Sequence, residues 1–537
     1  MWNKGWRDGI WSCLNQPWDL VIVGGGITGA GILREAARSG LKVLLLEAND
    51  FGSGTSSRSS KLVHGGFRYL KNAQIRLTMQ SVRERERLLR EGRGLVNQLG
   101  FLLANYDGDA IPGRVFGAGL IIYDLLALKW GHRHYDAYDM HDLCPALTEA
   151  GLQGGYRYFD AQTDDARLVL RVIQEAVMDG GMALNYTLVT SLLTTRDGRV
   201  CGVRIQDQSP EGAGRSAEIN ACVVVNATGA WADILRQQIG GKEQLRKLCG
   251  SHLIFPFERL PLTRSVSFLH PDDGRPVFAL PWEGVTLLGT TDVDLQVPLK
   301  KDTAISSHEI EYLMQAAQFA FGNQTLTVDD IQATYSGVRP VIDTGNSDPS
   351  KESREHILWN ENGLLTVTGG KLTTFRLMAH DALNKVRALL PGHPKLDPNK
   401  RVLAAAPMET VIPCDLTPAA RLRLIGRYGL NLPGFCNSIR PGELTPIAAS
   451  NSTWAELRWA ARAEGAVHLD DLLLRRVRLG LLLPRGGLDQ LDQIKSVVQP
   501  ELGWDDERWE SEARNYSELW KKFYYLGEGS RTGQPAA

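Results

Sequence analysis

Apolar positions come as short unbroken runs through the first 370 residues and at helical spacing through the last 120 or so. The sharpest pattern lies near the start. Leu20 to Val23 is an apolar run, residues 24–29 are glycine-rich, a helix-like stretch follows, and Val43 to Leu46 is a second apolar run closed by Glu47. Strands without polar alternation are buried on both faces, as in a parallel sheet, so this order predicts a strand–helix–strand unit. Residues 76–99 read as a long helix with an Arg/Glu-rich solvated face, and 160–182 as another. Residues 183–225 read as short strands with Asp197-Gly198 as a hairpin turn, and Ala221 to Asn226 as a buried strand. Between 250 and 345, runs such as Leu253–Pro256, Val266–Leu269, Val277–Pro281 and Val285–Gly289 alternate with Pro and Gly turns and predict an antiparallel sheet. Residues 364–370 return to a buried strand, and Lys371 onward opens a helix. Pro391 to Pro398 reads as a linker. Helices are predicted over 417–428, 453–464, 468–483 and 504–523, and a disordered tail from Gly527.

This order predicts an α/β protein, α+β overall. A discontinuous Rossmann-like dinucleotide-binding domain (19–100, 150–249 and 346–390) carries an inserted antiparallel-sheet substrate cap (101–149 and 250–345). An N-terminal extension (1–18), a helical C-terminal domain (400–526) and the tail complete the chain. Trp2, Trp6, Ile10, Cys13 and Leu14 share one helical face. They suit a helix docked on its own protein better than a membrane-surface anchor, although both readings stand. No run reaches the length of a spanning helix. The longest approach, Val115 to Leu128, contains Asp124 and is expected in the core.

Composition narrows the function. Of 537 residues, 43% are hydrophobic and 23% charged, and the net charge is −1, so no global basic field exists to hold nucleic acid. Seven Cys without CxxC or Cys/His spacing indicate reduced thiols in a cytoplasmic protein and no structural metal.

The chemistry concentrates at turns. Gly24 permits the tight turn, Gly26 leaves room for a pyrophosphate, and Gly29 brings the helix close to the sheet. The helix N-terminus faces the phosphates, and Glu47, 18 residues on, suits ribose hydroxyls. A carboxylate there disfavours a 2′-phosphate, so FAD or NAD(H) is expected rather than NADP(H). Residues 53–69 bring small hydroxyls, Gly65-Gly66, His64, Arg68 and Tyr69 together. Arg339, Arg354 and Lys371 sit beside Gly turns and point to an anionic substrate.

Eight pieces in one order resemble the FAD-dependent glycerol-3-phosphate dehydrogenase family, within the D-amino acid oxidase-like flavoproteins. They are Val-Gly-Gly-Gly-Ile-Thr-Gly-Ala-Gly (23–31), Thr-Ser-Ser-Arg-Ser-Ser-Lys-Leu-Val-His-Gly-Gly-Phe-Arg-Tyr-Leu (55–70), Asp-Asp-Ala-Arg-Leu (164–168), Asn-Ala-Thr-Gly-Ala-Trp (226–231), Gly-Ser-His (250–252), Gly-Thr-Thr-Asp (289–292), Tyr-Ser-Gly-Val-Arg-Pro (335–340) and Gly-Gly-Lys-Leu-Thr-Thr (369–374). The C-terminal part resembles the family more loosely. The resemblance implies FAD held by Gly24, Gly25, Gly26, Ile27, Thr28, Gly29, Glu47, Thr55, Ser56, Ser57, Ser60, Gly65, Gly66, Thr228, Gly229, Gly370, Lys371, Leu372 and Thr373. It implies glycerol 3-phosphate with its phosphate on Arg339 and Arg354, joined by Arg68, and its C2 hydrogen leaving as hydride. His64 and His252 are the candidate bases. Lys371 is placed to polarise the oxyanion and Tyr69 to orient the hydroxyl. A membrane quinone is the implied electron acceptor, which calls for peripheral contact at the cytoplasmic face of the membrane. An O2-reducing oxidase is the alternative, ahead of an amino acid or amine oxidase and a non-catalytic flavin sensor. A homo-oligomer is left open.

Overall fold

The computed structural model describes every residue except 1, 67–74, 110–111, 128–129, 296–298, 300–301, 346–351, 353–354, 414–415 and 527–537. In chain order its strands are β1 (Trp18–Val23), β2 (Val43–Leu46), β3 (Leu62–Val63), β4 (Val96–Tyr106), β5 (Arg133–Tyr135), β6 (Leu152–Thr163), β7 (Met182–Leu184), β8 (Thr187–Thr194), β9 (Val200–Asp207) and β10 (Ser216–Asn226). They continue with β11 (Leu245–Pro256), β12 (Ser265–Leu269), β13 (Pro276–Trp282), β14 (Val285–Gly289), β15 (Val293–Asp294), β16 (Ala333–Ile342), β17 (Ile357–Glu361) and β18 (Leu364–Thr368).

Two sheets organise these strands. The first runs β17-β18-β10-β1-β2-β7, parallel from β18 to β7, with β17 antiparallel at one edge. Its central strands are buried on both faces, which is why they read as unbroken apolar runs. The hairpin β8–β9 turns at Asp197-Gly198, as its sequence predicts, and pairs onto the start of β10. The second sheet runs β15-β11-β14-β13-β12-β4-β6-β3, with β16 on β11 and β5 on β6. It is antiparallel except where β12 meets β4. It takes in β3, the start of β4, and β6, segments that the expected boundaries at 100 and 150 gave to the dinucleotide domain.

Several expected elements shift. The helix predicted over 76–99 spans Ile75–Glu91. Gly94, at φ +86°, lies where a Cβ would come 1.9 Å from the Leu422 carbonyl oxygen, and the chain turns there into β4. In β4 the apolar residues alternate, with Phe101 and Leu103 in one core and Leu102 and Ala104 in another. The helix expected over 160–182 spans Asp165–Met178, because β6 runs to Thr163 and the Asp164 carboxylate caps the Arg167 N–H. The region 468–483 divides into a wide π-type turn, Asp471–Arg476, and a short helix, Leu479–Leu482. Helices Leu432–Ser438 and Leu491–Leu502 are additional. Pro433 and Pro500 argue against them in sequence, yet Pro433 sits in a first turn and Pro500 in a last one.

The N-terminal stripe docks on its own protein. Trp2 stacks on Phe51 at 5.0 Å, Leu14 is buried, and Arg7 donates to Asp207 and Asn185. The stretch expected in the core is divided. In helix Gly113–Ala127, Phe116, Leu120 and Tyr123 are buried in a core, Val115 and Ile122 line a cavity, and Ile121 (42%) and Leu125 (62%) are exposed.

Candidate active site

A cavity of ≈ 1530 Å³ is walled by residues of both sheets. At one end the β1 turn makes a cradle that glycine alone permits. Gly24 has φ +112°, and a Cβ on it would meet the Ala227 carbonyl oxygen at 2.5 Å. A Cβ on Gly29 would sit 1.9 Å from the Gly24 oxygen, so the helix Ile27–Ala37 starts as close to β1 as backbone allows. Ser56 Oγ accepts from the Ile27 N–H at 3.0 Å. The Glu47 carboxylate accepts from the N–H groups of Gly25 (2.7 Å) and Asn49 (2.8 Å) and faces the cavity.

Gly24, Gly26, Ile27, Thr28, Thr55, Ser56, Ser60, Gly66, Thr228, Gly229 and the segment Gly370 to Thr373 also line it. Four expected cofactor residues stand behind the wall and shape it. Gly25 and Gly29 set the turn. The Ser57 carbonyl accepts from Lys61 and Arg478. The Gly65 N–H donates to Tyr123 Oη (3.0 Å) and Asp160 (3.1 Å). Thr187 to Thr190, Ile234 and Gln238 close the far end of the cradle; no sequence signal distinguished them from an ordinary hairpin and helix.

The other end gathers groups from distant segments. His64, His252, Arg339 and Lys371 face the same cavity. His252 lies on β11 and is only 2% exposed. Its Nε2 is 2.9 Å from Ser60 Oγ, and its ring stacks on Tyr335 at 4.7 Å and 12°. Burial, then the cations Lys61 and Arg339, hold its pKa well below the ordinary value, so the imidazole is neutral. The His64 carbonyl accepts from Thr373 Oγ1 at 3.2 Å. Lys371 Nζ donates to Ser81 Oγ at 2.6 Å, just before the turn Leu372–Thr374 and helix Phe375–Val386.

Arg339 is held by a group that the sequence hid. Its Nη1 donates to Asp292 Oδ1 at 2.8 Å, while Asp292 Oδ2 pairs with Arg275 at 3.1 Å. One buried carboxylate thus fixes two guanidiniums that both reach the cavity. Arg275 lies in an Asp-Asp-Gly-Arg stretch that reads as a plain turn. Arg68, Tyr69 and Arg354 lie outside the described residues.

Phe101, Phe116, Ile122, Tyr158, Leu269 and Phe278 form an apolar part of the cavity wall, to which the helix Gly113–Ala127 contributes. The glycine turns, the helix N-terminus and the Glu47 carboxylate fit a flavin adenine dinucleotide, because a side chain at Gly24 or Gly29 would displace the turn that receives its pyrophosphate.

Comparison with known proteins agrees. Residues 19–376 match the model of the FAD dependent oxidoreductase family, and 387–509 that of the C-terminal domain of alpha-glycerophosphate oxidase. Glycerol-3-phosphate dehydrogenase 2 of Mycobacterium tuberculosis is 34% identical over 526 residues, covering 93% of this chain and 88% of that one. The aerobic glycerol-3-phosphate dehydrogenase of Bacillus subtilis is 38% identical over 378 residues, 69% of this chain and 67% of that one. The structure of glycerol-3-phosphate dehydrogenase from Bacillus halodurans complexed with FAD superposes with a TM-score of 0.76 at 26% identity, covering 97% and 98%.

Proposed function

The chain belongs to the FAD-dependent glycerol-3-phosphate dehydrogenases, and from that membership we propose how its cavity performs the reaction and where the electrons go. It is an FAD enzyme that oxidises glycerol 3-phosphate. The observation that carries the mechanism is a neutral, oriented imidazole in one cavity with a carboxylate-held arginine and the dinucleotide cradle. Arg339, held in place by Asp292 and facing the cavity, binds the substrate phosphate, and Arg275 adds positive charge to the same wall. His252 takes the proton of the C2 hydroxyl, for which a neutral ring is the competent form. Lys371 supplies positive charge toward the developing oxyanion. The cradle at Gly24, Gly26 and Gly29 would hold FAD, which would supply the two-electron acceptor for the hydride that leaves C2.

The cradle gives a direct test of cofactor retention. Gly29→Ala puts a methyl group 1.9 Å from the Gly24 oxygen, so the purified variant is expected to have lost most of its flavin absorbance while wild type is yellow. A variant with full flavin content contradicts the cradle.

We assign the acceptor to the quinones. The apolar part of the wall suits a lipophilic ring better than a polar solute, and it adjoins a helix that exposes Ile121 and Leu125. Among the described residues no helix is long and apolar enough to cross a membrane, so contact is made from the surface. The surface is that of helix Gly113–Ala127, with Trp130 close by in sequence, rather than the N-terminal stripe, whose Trp2 and Leu14 are buried and whose Trp6 and Ile10 pack half-buried against the protein's own core. Deleting residues 2–15 is therefore expected to unsettle the fold around Phe51 rather than release an anchor. Ile121→Glu with Leu125→Glu is expected to weaken liposome binding and slow ubiquinone-analogue reduction, with flavin bleaching by glycerol 3-phosphate unchanged. Unaltered liposome binding contradicts the assignment. Reoxidation of the reduced enzyme faster by O2 than by quinone would make it an oxidase.

A further inference from the structure

The base His252 is held by a short loop, and that loop is held in turn by the C-terminal domain. Ser60 Oγ meets the His252 ring edge at 2.9 Å, and Tyr335, stacked on the ring face, donates its Oη to the Ser59 carbonyl at 2.8 Å. Both supports of the imidazole thus converge on Ser59-Ser60. Ser59 is fixed from behind by Asp165, whose Oδ2 accepts from the Ser59 N–H (3.0 Å) and Oγ (2.8 Å). Lys61 Nζ lies 3.1 Å from both Asp165 oxygens and 4.7 Å from the Tyr335 ring centroid.

Arg478 completes the arrangement from a different domain. It sits between the π-type turn and the helix Leu479–Leu482, at φ +62°. Its guanidinium is buried. It pairs with Asp165, donates to Asp164 Oδ1 at 3.0 Å, and reaches the Ser57 carbonyl at 3.3 Å. Every donor group of Arg478 is therefore spent on the loop Ser57–Lys61, on the carboxylates beneath it, or on its own Leu474 carbonyl. Beyond Lys61, the charged group that acts on the ring is Arg339 on β16; Glu309 bonds Ser251, the next residue along β11, whose side chain faces the other side of the strand.

We propose that Arg478 is a positioning residue for His252: the C-terminal domain is a working part of the active site, and it acts by fixing the loop that orients the base. The proposal rests on the reading of His252 as the base in glycerol 3-phosphate oxidation. Replacing Arg478 by Met leaves Asp164 paired with Arg427 (3.1 Å) and Asp165 with Lys61, so no buried carboxylate is stranded. The loop, however, loses its Arg478 contacts and keeps only the outer bond from Arg58 Nη2 to Tyr524 Oη (3.1 Å) among the described side-chain links to the C-terminal domain.

The test compares FAD-loaded wild type, Arg478→Met and Arg478→Lys. Arg478→Met is expected to speed amide exchange across residues 57–61 by about tenfold or more, with β1 and β10 unchanged. It is expected to lower kcat roughly 10–100-fold with little change in KM, and to move the acid limb of kcat/KM to higher pH as the imidazole regains solvent. Arg478→Lys is expected to restore part of each. Wild-type exchange at 57–61 with a wild-type pH profile overturns the proposal. If Arg478→Met fails to fold, Tyr335→Phe decides, since it removes the Ser59 link and keeps the stacked ring: faster exchange at 58–61 with reduced kcat supports the clamp, and unchanged values overturn it. Wild type that is not bleached by glycerol 3-phosphate would instead refute the underlying reading.

Discussion

Replacing His252 by asparagine is expected to lower kcat by roughly 10²–10⁴-fold, the range over which a positioned general base contributes. The structure gives three reasons for so large an effect. The ring faces the cavity, its orientation is fixed by Ser60 and Tyr335, and it is neutral. KM should change far less, because the phosphate is bound elsewhere. The pH dependence has a definite sign. Burial and the neighbouring cations Lys61 and Arg339 lower the pKa, so the protonated, inactive form appears only below the ordinary imidazole value of about 6.5. In wild type the acid limb of kcat/KM is therefore expected at lower pH than for a solvated histidine, and in the asparagine variant that limb is expected to disappear. A variant that keeps wild-type kcat would pass the role of base to His64, which faces the same cavity.

Arg339→Ala is expected to act on binding instead. Loss of a charge-assisted contact to phosphate costs about 1.5–3 kcal/mol, which raises KM for glycerol 3-phosphate roughly 10–150-fold. Asp292 keeps Arg275 as its partner, so no buried carboxylate is left unpaired and the fold should persist. The penalty is expected to shrink for glycerol, which lacks the phosphate. Equal losses on glycerol and on glycerol 3-phosphate would contradict the phosphate assignment.

Much of this was legible before the structure, for a physical reason in each case. Strands of a parallel sheet buried on both faces show as unbroken apolar runs, so β1, β2, β10 and β18 stood out. Gly24 and Gly29 were legible because a tight turn and a close helix both exclude a Cβ. What stayed hidden depends on tertiary partners. Asp292 and Arg275 are separated in sequence and meet only across neighbouring strands. Arg475, Arg476 and Arg478 lie in a stretch read only as a helix, yet all three are buried against Asp50, Asp164 and Asp165. The run around Val115 to Leu128 suggested core, and Phe116, Leu120 and Tyr123 are there, but an apolar run on all sides of a helix does not say which face a fold leaves uncovered, here that of Ile121 and Leu125.

The most direct test of the account is anaerobic addition of glycerol 3-phosphate to the FAD-loaded protein. The flavin absorbance is expected to bleach, with dihydroxyacetone phosphate formed in an amount equal to the flavin, while glycerol at the same concentration bleaches it far more slowly. A flavin that stays yellow with glycerol 3-phosphate, or bleaches as readily with glycerol, would contradict it.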